Sequence, residues 1–277
     1  MGDRPLEWLR PPCVMGVVNV TPDSFSDGGA HLATTAARLT IDRMAHDGAA
    51  IVDIGAESTR PGAERVDASE QLRRLAPLFD DLANRPPEVA LSIDSTRSVV
   101  AAAAIDAGAV LVNDVSAGRD DDEMFSLVAE RGVAICVMHM RGQPRDMQID
   151  PRYEDVVAEV CDFLSARVDA AMAAGIPRAH ILVDPGIGFG KTLAHNLSLL
   201  SRMQDVVGLG QAVVVGVSRK GVIGLVTGRP VEGRAAGSIG GALAAIAGGA
   251  HVVRVHDVQD TVDAVQVWNA ISGGQGE

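Results

Sequence analysis

The chain has 277 residues, 47% of them hydrophobic, enough to bury a large core and a length ordinary for an α/β barrel. A formal charge of −12 argues against a general nucleic-acid or membrane-surface binder, and no apolar run is long enough to span a bilayer. Aromatic residues make up only 3%, so Ala, Val, Ile and Leu must fill the interior.

Short apolar runs alternate with helical patterns from end to end. Strands are predicted at Val14–Asn19, Ala50–Ile54, Val89–Ile93, Val110–Asn113, Val133–Met138, His180–Val183, Ala212–Val217 and His251–Val255. Their Val and Ile content suits a parallel sheet covered on both faces. Helices are predicted between them at Thr34–Asp47, Ser69–Ala83, Arg97–Ala107, Asp122–Glu130, Tyr153–Ala174, Asn196–Met203, Val231–Ala247 and Val258–Ala270. Glycine stands at or just past many of these helix ends, the favoured C′ position. No linker divides the chain, so residues 1–277 read as a single barrel domain with a loose tail at 273–277. The segment Met1-Gly-Asp-Arg-Pro-Leu6 has no signal-peptide core. Cys13, Cys136 and Cys161 are far apart and without C-x-x-C spacing, and read as buried thiols in a reducing cytoplasm.

Nearly every predicted strand delivers a polar group at its C-terminal end: Asn19, Asp53 with Glu57 to Arg60, Asp94, Asn113, Met138-His139, Asp184, Ser218 to Lys220, and Arg254 with His256. An open doubly wound sheet would gather such groups near one switch point. A (β/α)8 barrel (a TIM barrel) spreads them around one mouth, and that fold is the expectation.

The run Ile181-Leu-Val-Asp184-Pro-Gly186-Ile-Gly188-Phe189-Gly190-Lys191 ends a strand on an acid and continues into an open glycine loop beside an aromatic ring. It reads as a site for a flat, nitrogen-rich ring, or else as a plain strand end with a glycine turn. Gly190-Lys191-Thr192 is not a P-loop, because Pro185 stands where that motif needs its first glycine. Asp94 and Asn113 should face inward and, with Asp184, supply acceptors and donors to the ring's edge. Asn19 offers a neutral oxygen to a hard cation, and the long loop after it reads as functional. Thr59 and Arg60 are oxyanion-type ligands, though a solvated turn explains them as well. Arg254 and His256 alternate, so pleating puts both on one face, a pairing that suits pyrophosphate. His139, beside Met138 and Met140, reads as a satisfied structural histidine.

Eight motifs occur in order: Asn19-Val-Thr-Pro-Asp-Ser-Phe25-Ser-Asp-Gly-Gly29, Glu57-Ser-Thr-Arg-Pro-Gly-Ala63, Ser92-Ile-Asp-Ser95, Val112-Asn-Asp-Val-Ser116, Met138-His-Met-Arg-Gly142, Asp184 to Lys191, Ser218-Arg-Lys220 and Arg254-Val-His-Asp-Val258. Together they resemble the dihydropteroate synthase family over nearly the whole chain. The resemblance implies a pterin-binding barrel that condenses (7,8-dihydropterin-6-yl)methyl diphosphate with 4-aminobenzoate, releasing diphosphate, in folate biosynthesis. It implies that Asp94, Asn113, Asp184 and Lys220 hold the pterin, with Met138 and Phe189 against its faces. It gives Asn19, Thr59, Arg254 and His256 to the diphosphate, with Mg²⁺ on Asn19. Phe25, Thr59, Arg60, Pro61, Gly188, Lys220 and Gly221 would shape the aminobenzoate pocket, and Asp94, Asp184, Lys220 and Arg60 would carry catalysis. It further implies small-molecule substrates, a sulfonamide target and a homodimer, with neither nucleic acid nor membrane as partner. One departure stands out: Gly221 and Val222 occupy positions where the family usually has Ser and Phe. The alternative is a pterin-binding protein of the methyltetrahydrofolate-dependent methyltransferase type, which has no diphosphate to bind.

Overall fold

A computed structural model describes residues 6–20, 29–57, 66–143 and 145–273, with backbone alone for 29–33. The first half runs β1 (Cys13–Asn19), α1 (Gly29–His46), β2 (Ile51–Gly55), α2 (Ala68–Asn84), β3 (Ala90–Asp94), α3 (Ser98–Asp106), β4 (Leu111–Asp114), α4 (Met124–Arg131) and β5 (Ala134–Met138). The second runs α5 (Val156–Ala173), β6 (Ile181–Asp184), α6 (Leu193–Ser201), α7 (Met203–Val207), β7 (Ala212–Val215), α8 (Gly221–Thr227), α9 (Ala235–Ala247), β8 (Val252–Val255) and α10 (Val258–Gly273). Every strand pairs in parallel with the next, and β8 pairs back onto β1, closing the barrel that the sequence predicts.

The alternation of side chains along the strands builds two separate cores. One phase, with Val14, Val52, Ile54, Ile93, Val112, Ile135, Val183 and Val253, packs outward beneath the helices. The other phase, with Met15, Ile51, Leu111, Ala134, Leu182, Val214 and Val252, forms a distinct cluster inside the barrel. Leu6, Trp8 and Leu9 pack against that inner cluster. Two positions further along the same inward phase, Ile51 gives way to Asp53, Leu111 to Asn113, Leu182 to Asp184 and Val252 to Arg254. The barrel interior is therefore apolar at its base and polar at its mouth, a division set by a two-residue step in four strands.

Four details differ from the sequence expectation. The helix expected over 196–203 is two, α6 and α7, and that over 231–247 is a short 3-10 turn at Val231–Gly233 followed by α9. Helix α8 is absent from the helices predicted by pattern, although a helix N-terminus at Gly221 is consistent with the sequence; Gly221, Gly224 and the β-branched Val222, Ile223, Val226 and Thr227 are weak helix formers. Tertiary packing overrides that preference: Val222 and Ile223 are buried, and a Cβ at Gly237 of α9 would come within 2.6 Å of Ile223 Cγ2. The bare face of α9 is thus the seat of α8, which explains part of its all-round apolar sequence. Gly273 ends α10 rather than beginning a tail. Among the described residues no helix is long and apolar enough to cross a membrane.

Candidate active site

Strand register brings the expected residues onto one rim. Asn19 pairs with Gly55, Gly55 with Asp94, and Asp94 with Asn113, while Met138 pairs with Asp184 on the far side. Asp94, Asn113, Met138 and Asp184 are all buried, as inward-facing residues at the ends of closed strands should be.

Beneath the rim lies a charge network whose hub, Asp53, the sequence marks only as an acid near a strand end. Asp53 is 0% exposed. Its Oδ1 accepts from Ser92 Oγ at 2.6 Å, and its Oδ2 accepts from Asn113 Nδ2 at 2.9 Å and Arg254 Nε at 2.7 Å. The same guanidinium donates through Nη2 to Asp94 Oδ2 at 2.8 Å. One cation thus serves two carboxylates. Burial pushes the Asp94 carboxyl up to about 7 against the pull of Arg254, with Asp53, Glu57 and Asp114 adding to the rise. Arg254 is raised as well: burial disfavours its charge, but Asp53 and Asp94 outweigh that and hold it protonated. The clue in the sequence was an acid in the inward phase of an otherwise apolar strand, Ile51-Val-Asp53-Ile.

Across the mouth, Asp184 Oδ1 accepts from the backbone N–H of Gly186 at 2.6 Å. Burial raises the Asp184 carboxyl, opposed chiefly by Lys220. Lys220 Nζ donates to the Ile187 carbonyl at 2.7 Å and lies 4.6 Å from the centre of the Phe189 ring. Burial pulls its ammonium down to about 8, with Asp184 supporting the charge. Met138 and Phe189 belong to a small apolar cluster with Val115, Met140 and Met147.

The glycines of this loop have another reason than ligand access. Gly186 and Gly190 take positive φ, 67° and 63°, and a Cβ on either would collide with the carbonyl oxygen of His139 or Arg141. They let the loop lie against the segment after β5. Gly188 is the one that faces Lys220, at 3.4 Å from Cδ. Lys191 is buried and donates to Gly186 O, Phe189 O and His139 Nδ1, so it is no phosphate ligand here. His139 is structural as expected: buried edge-on to Phe163, with its imidazole driven down to about 2 by burial and then by Lys191.

The pleating expected for Arg254 and His256 does not extend to both: Arg254 lies in β8, His256 is one residue past its end, and their partners differ. Arg254 reaches into the barrel, whereas His256 meets Ser218 Oγ through Nδ1 at 3.1 Å and through its backbone N–H at 3.2 Å. Gly221 opens α8 in an exposed position, and a Cβ there would meet nothing within 4 Å. Phe25, Thr59, Arg60 and Pro61 lie outside the described residues.

Among the described residues no three His, Cys, Asp or Glu side chains gather as a metal cage. At the rim, Asn19 Oδ1 stands 3.6 Å from where a Gly55 Cβ would be, with Asp94 Cβ at 3.4 Å from the same point. The missing side chain leaves room beside one hard, neutral oxygen. That donor set fits a cation that arrives with phosphate oxygens and water rather than one caged by protein.

Residues 15–256 match the family described as pterin binding enzyme. A dihydropteroate synthase of Mycobacterium leprae is 47% identical, the match covering 95% of this chain and 94% of that one. A structure of Xanthomonas albilineans dihydropteroate synthase with 4-aminobenzoic acid superposes with a TM-score of 0.89 at 47% identity, covering 95% of this chain and 94% of the other. One from the same organism in complex with 7,8-dihydropteroate gives 0.85 at 44%, covering 95% of each chain. With the closed barrel, the acid-lined mouth and these likenesses together, the chain belongs to the pterin-binding enzyme family, among the dihydropteroate synthases.

Proposed function

We propose that the barrel mouth joins (7,8-dihydropterin-6-yl)methyl diphosphate to 4-aminobenzoate, giving 7,8-dihydropteroate and diphosphate. The observation that carries this reading is the facing arrangement of two carboxylate systems. Asp94 with Asn113 lies on one side and Asp184 with Lys220 on the other, above the charge network of Asp53 and Arg254. That is a slot for a flat ring with donors and acceptors along its edge. Asp94, Asn113 and Asp184 take the ring's N–H donors, Lys220 completes the edge, and Met138 and Phe189 meet its faces.

In the reaction the amine nitrogen of 4-aminobenzoate forms a bond to the pterin methylene. The C–O bond to diphosphate breaks, its electron pair leaves with the diphosphate, and the amine gives up one proton. Positive charge grows at the methylene, and Asp94 and Asp184 oppose it from fixed positions. Negative charge grows on the leaving group, and Arg254 and His256 oppose that. Preorganised partners of this kind typically contribute about 2.7–4 kcal/mol each to lowering a barrier. Mg²⁺, held by Asn19 and the diphosphate, would supply further neutralisation of the leaving group. Thr59, Arg60, Pro61 and Phe25 complete the aminobenzoate side of this reading, with Gly188, Lys220 and Gly221.

The chain acts in this reading as a cytoplasmic homodimer. Leu225, Val226 and Val231, on α8 and the turn before α9, are exposed apolar residues where a second copy would sit. Sedimentation at micromolar concentration tests the assembly, and a monomer overturns it. A turnover assay with both substrates tests the reaction. Formation of dihydropteroate with equimolar diphosphate is the expected result, and a protein that binds pterin without turnover overturns it.

A further inference from the structure

Lys191 lies behind the loop that carries Phe189 and is only 2% exposed. A buried ammonium is costly unless its three donors find acceptors. Here they meet Gly186 O at 2.9 Å, Phe189 O at 3.0 Å and His139 Nδ1 at 2.9 Å. All three partners are neutral. With Lys191 donating to Nδ1, the His139 proton is assigned to Nε2. The His139 backbone N–H in turn donates to Asp184 O at 3.0 Å. The ammonium therefore ties the end of β5 to the loop after β6.

The rest of that loop is held in the same manner. Ile187 O accepts from Lys220 Nζ at 2.7 Å, Gly188 O from Gln148 Nε2 at 2.5 Å and Gly190 O from Tyr153 Oη at 2.8 Å. Each carbonyl from 186 to 190 thus receives a side-chain donor, two of them from Lys191. A loop with three positive-φ glycines has little backbone preference of its own, so these donors fix its path. A methylene chain would fill the same space as Lys191 but would offer no donor. Burial lowers the Lys191 ammonium to about 7, with Asp184 supporting its charge, and that charge in turn helps Asp184 stay ionised.

We propose that Lys191 is a positioning residue: its ammonium, fixed to Gly186, Phe189 and His139 from behind, sets the loop face that the pterin meets. This rests on the reading of the mouth as a pterin site. The inference assigns Lys191 no contact with substrate. Its effect passes through the orientation of Phe189, through Asp184 and through the Ile187 carbonyl that seats Lys220.

The test is Lys191→Met, compared with wild type by calorimetry using 6-hydroxymethylpterin and, separately, inorganic pyrophosphate with Mg²⁺. Circular dichroism at the assay temperature checks the fold. Pterin affinity should fall about tenfold or more, as expected when two buried carbonyls lose their donor. Pyrophosphate affinity should stay within about twofold, because Arg254 is bonded to Asp53 and Asp94 whereas Lys191 is bonded to Gly186, Phe189 and His139. In turnover, kcat should fall and KM for the pterin diphosphate should rise. Folded variant protein with both affinities unchanged, or with both lowered alike, overturns the proposal. If Lys191→Met does not fold, His139→Leu removes one acceptor from the ammonium and reads the same split. A selective pterin loss supports the assignment, and an equal or absent loss overturns it. Wild-type protein that binds no pterin overturns the underlying site reading, and that result is distinct because no variant is needed to see it.

Discussion

Asp94 and Arg254 meet across the barrel mouth, Oδ2 to Nη2 at 2.8 Å, while the same guanidinium holds Asp53 through Nε at 2.7 Å. The proposed pterin ligand and the proposed diphosphate ligand are therefore in contact before either substrate arrives. In the proposed reading, recognition of the ring and of its leaving group share one cation.

That sharing predicts how Arg254→Gln behaves. Pyrophosphate loses a charged partner, and its affinity should fall about tenfold or more. A pterin without phosphates loses no direct contact and should weaken less. Calorimetry with the two ligands separates the effects, and equal losses would mean that Arg254 does not bind the leaving group.

Asp53→Ala is expected to act on the fold first. It leaves Ser92, Asn113 and Arg254 facing an empty acceptor in the barrel interior. Breaking a buried ion pair by removing one partner costs about 3–5 kcal/mol, so the midpoint of thermal unfolding should drop by many degrees. A change of a degree or less would show that the network contributes little to stability.

Asp184→Asn keeps the side chain's shape but sets a donor against a ligand donor. Pterin affinity should fall at least about tenfold, the scale of a buried polar group left unpaired. Full affinity in a folded variant would place the ring elsewhere.

The pH dependence of pterin binding follows from Asp94, Lys220 and, behind the loop, Lys191, which burial lowers to about 7. Asp94, raised to about 7 by burial, loses its charge and turns one acceptor into a donor when protonated, so affinity should decline as pH falls below that value. Lys220, lowered to about 8 by burial, carries its charge only below that value, so affinity should also decline as pH rises past it. Lys191 loses its charge above about 7, so the profile should be a bell with its maximum near 7. Asp94→Asn should remove the acid limb while lowering affinity throughout, and an acid limb that survives in this variant would assign it to another group.

The barrel was legible in the sequence because its signal is repeated: eight Val- and Ile-rich runs, each with a polar residue at the same end. Asp94, Asn113 and Asp184 could be placed facing inward for the same reason. The sequence shows Asp53 only as an acid near a strand end, because its partners come from β3, β4 and β8, and contacts across a closed barrel are not written in any one segment. Helix α8 was hidden because what makes it helical is the glycine surface of α9, some residues further on. From sequence, the glycines of the loop after β6 read equally as ligand access or as a plain turn. Their real neighbours, the carbonyls of His139 and Arg141, are more than forty residues away in the chain.

Those neighbours also limit how this loop can evolve. Any side chain at Gly186 or Gly190 strikes the main chain of another segment, and main chain cannot rotate out of the way as a side chain can. A single substitution at either position damages folding before it alters recognition. An inhibitor whose contacts fall on the backbone of residues 186–190 would therefore address a surface that point mutation can scarcely reshape. One that reaches toward Gly221, where added atoms meet open space, would face a position free to change.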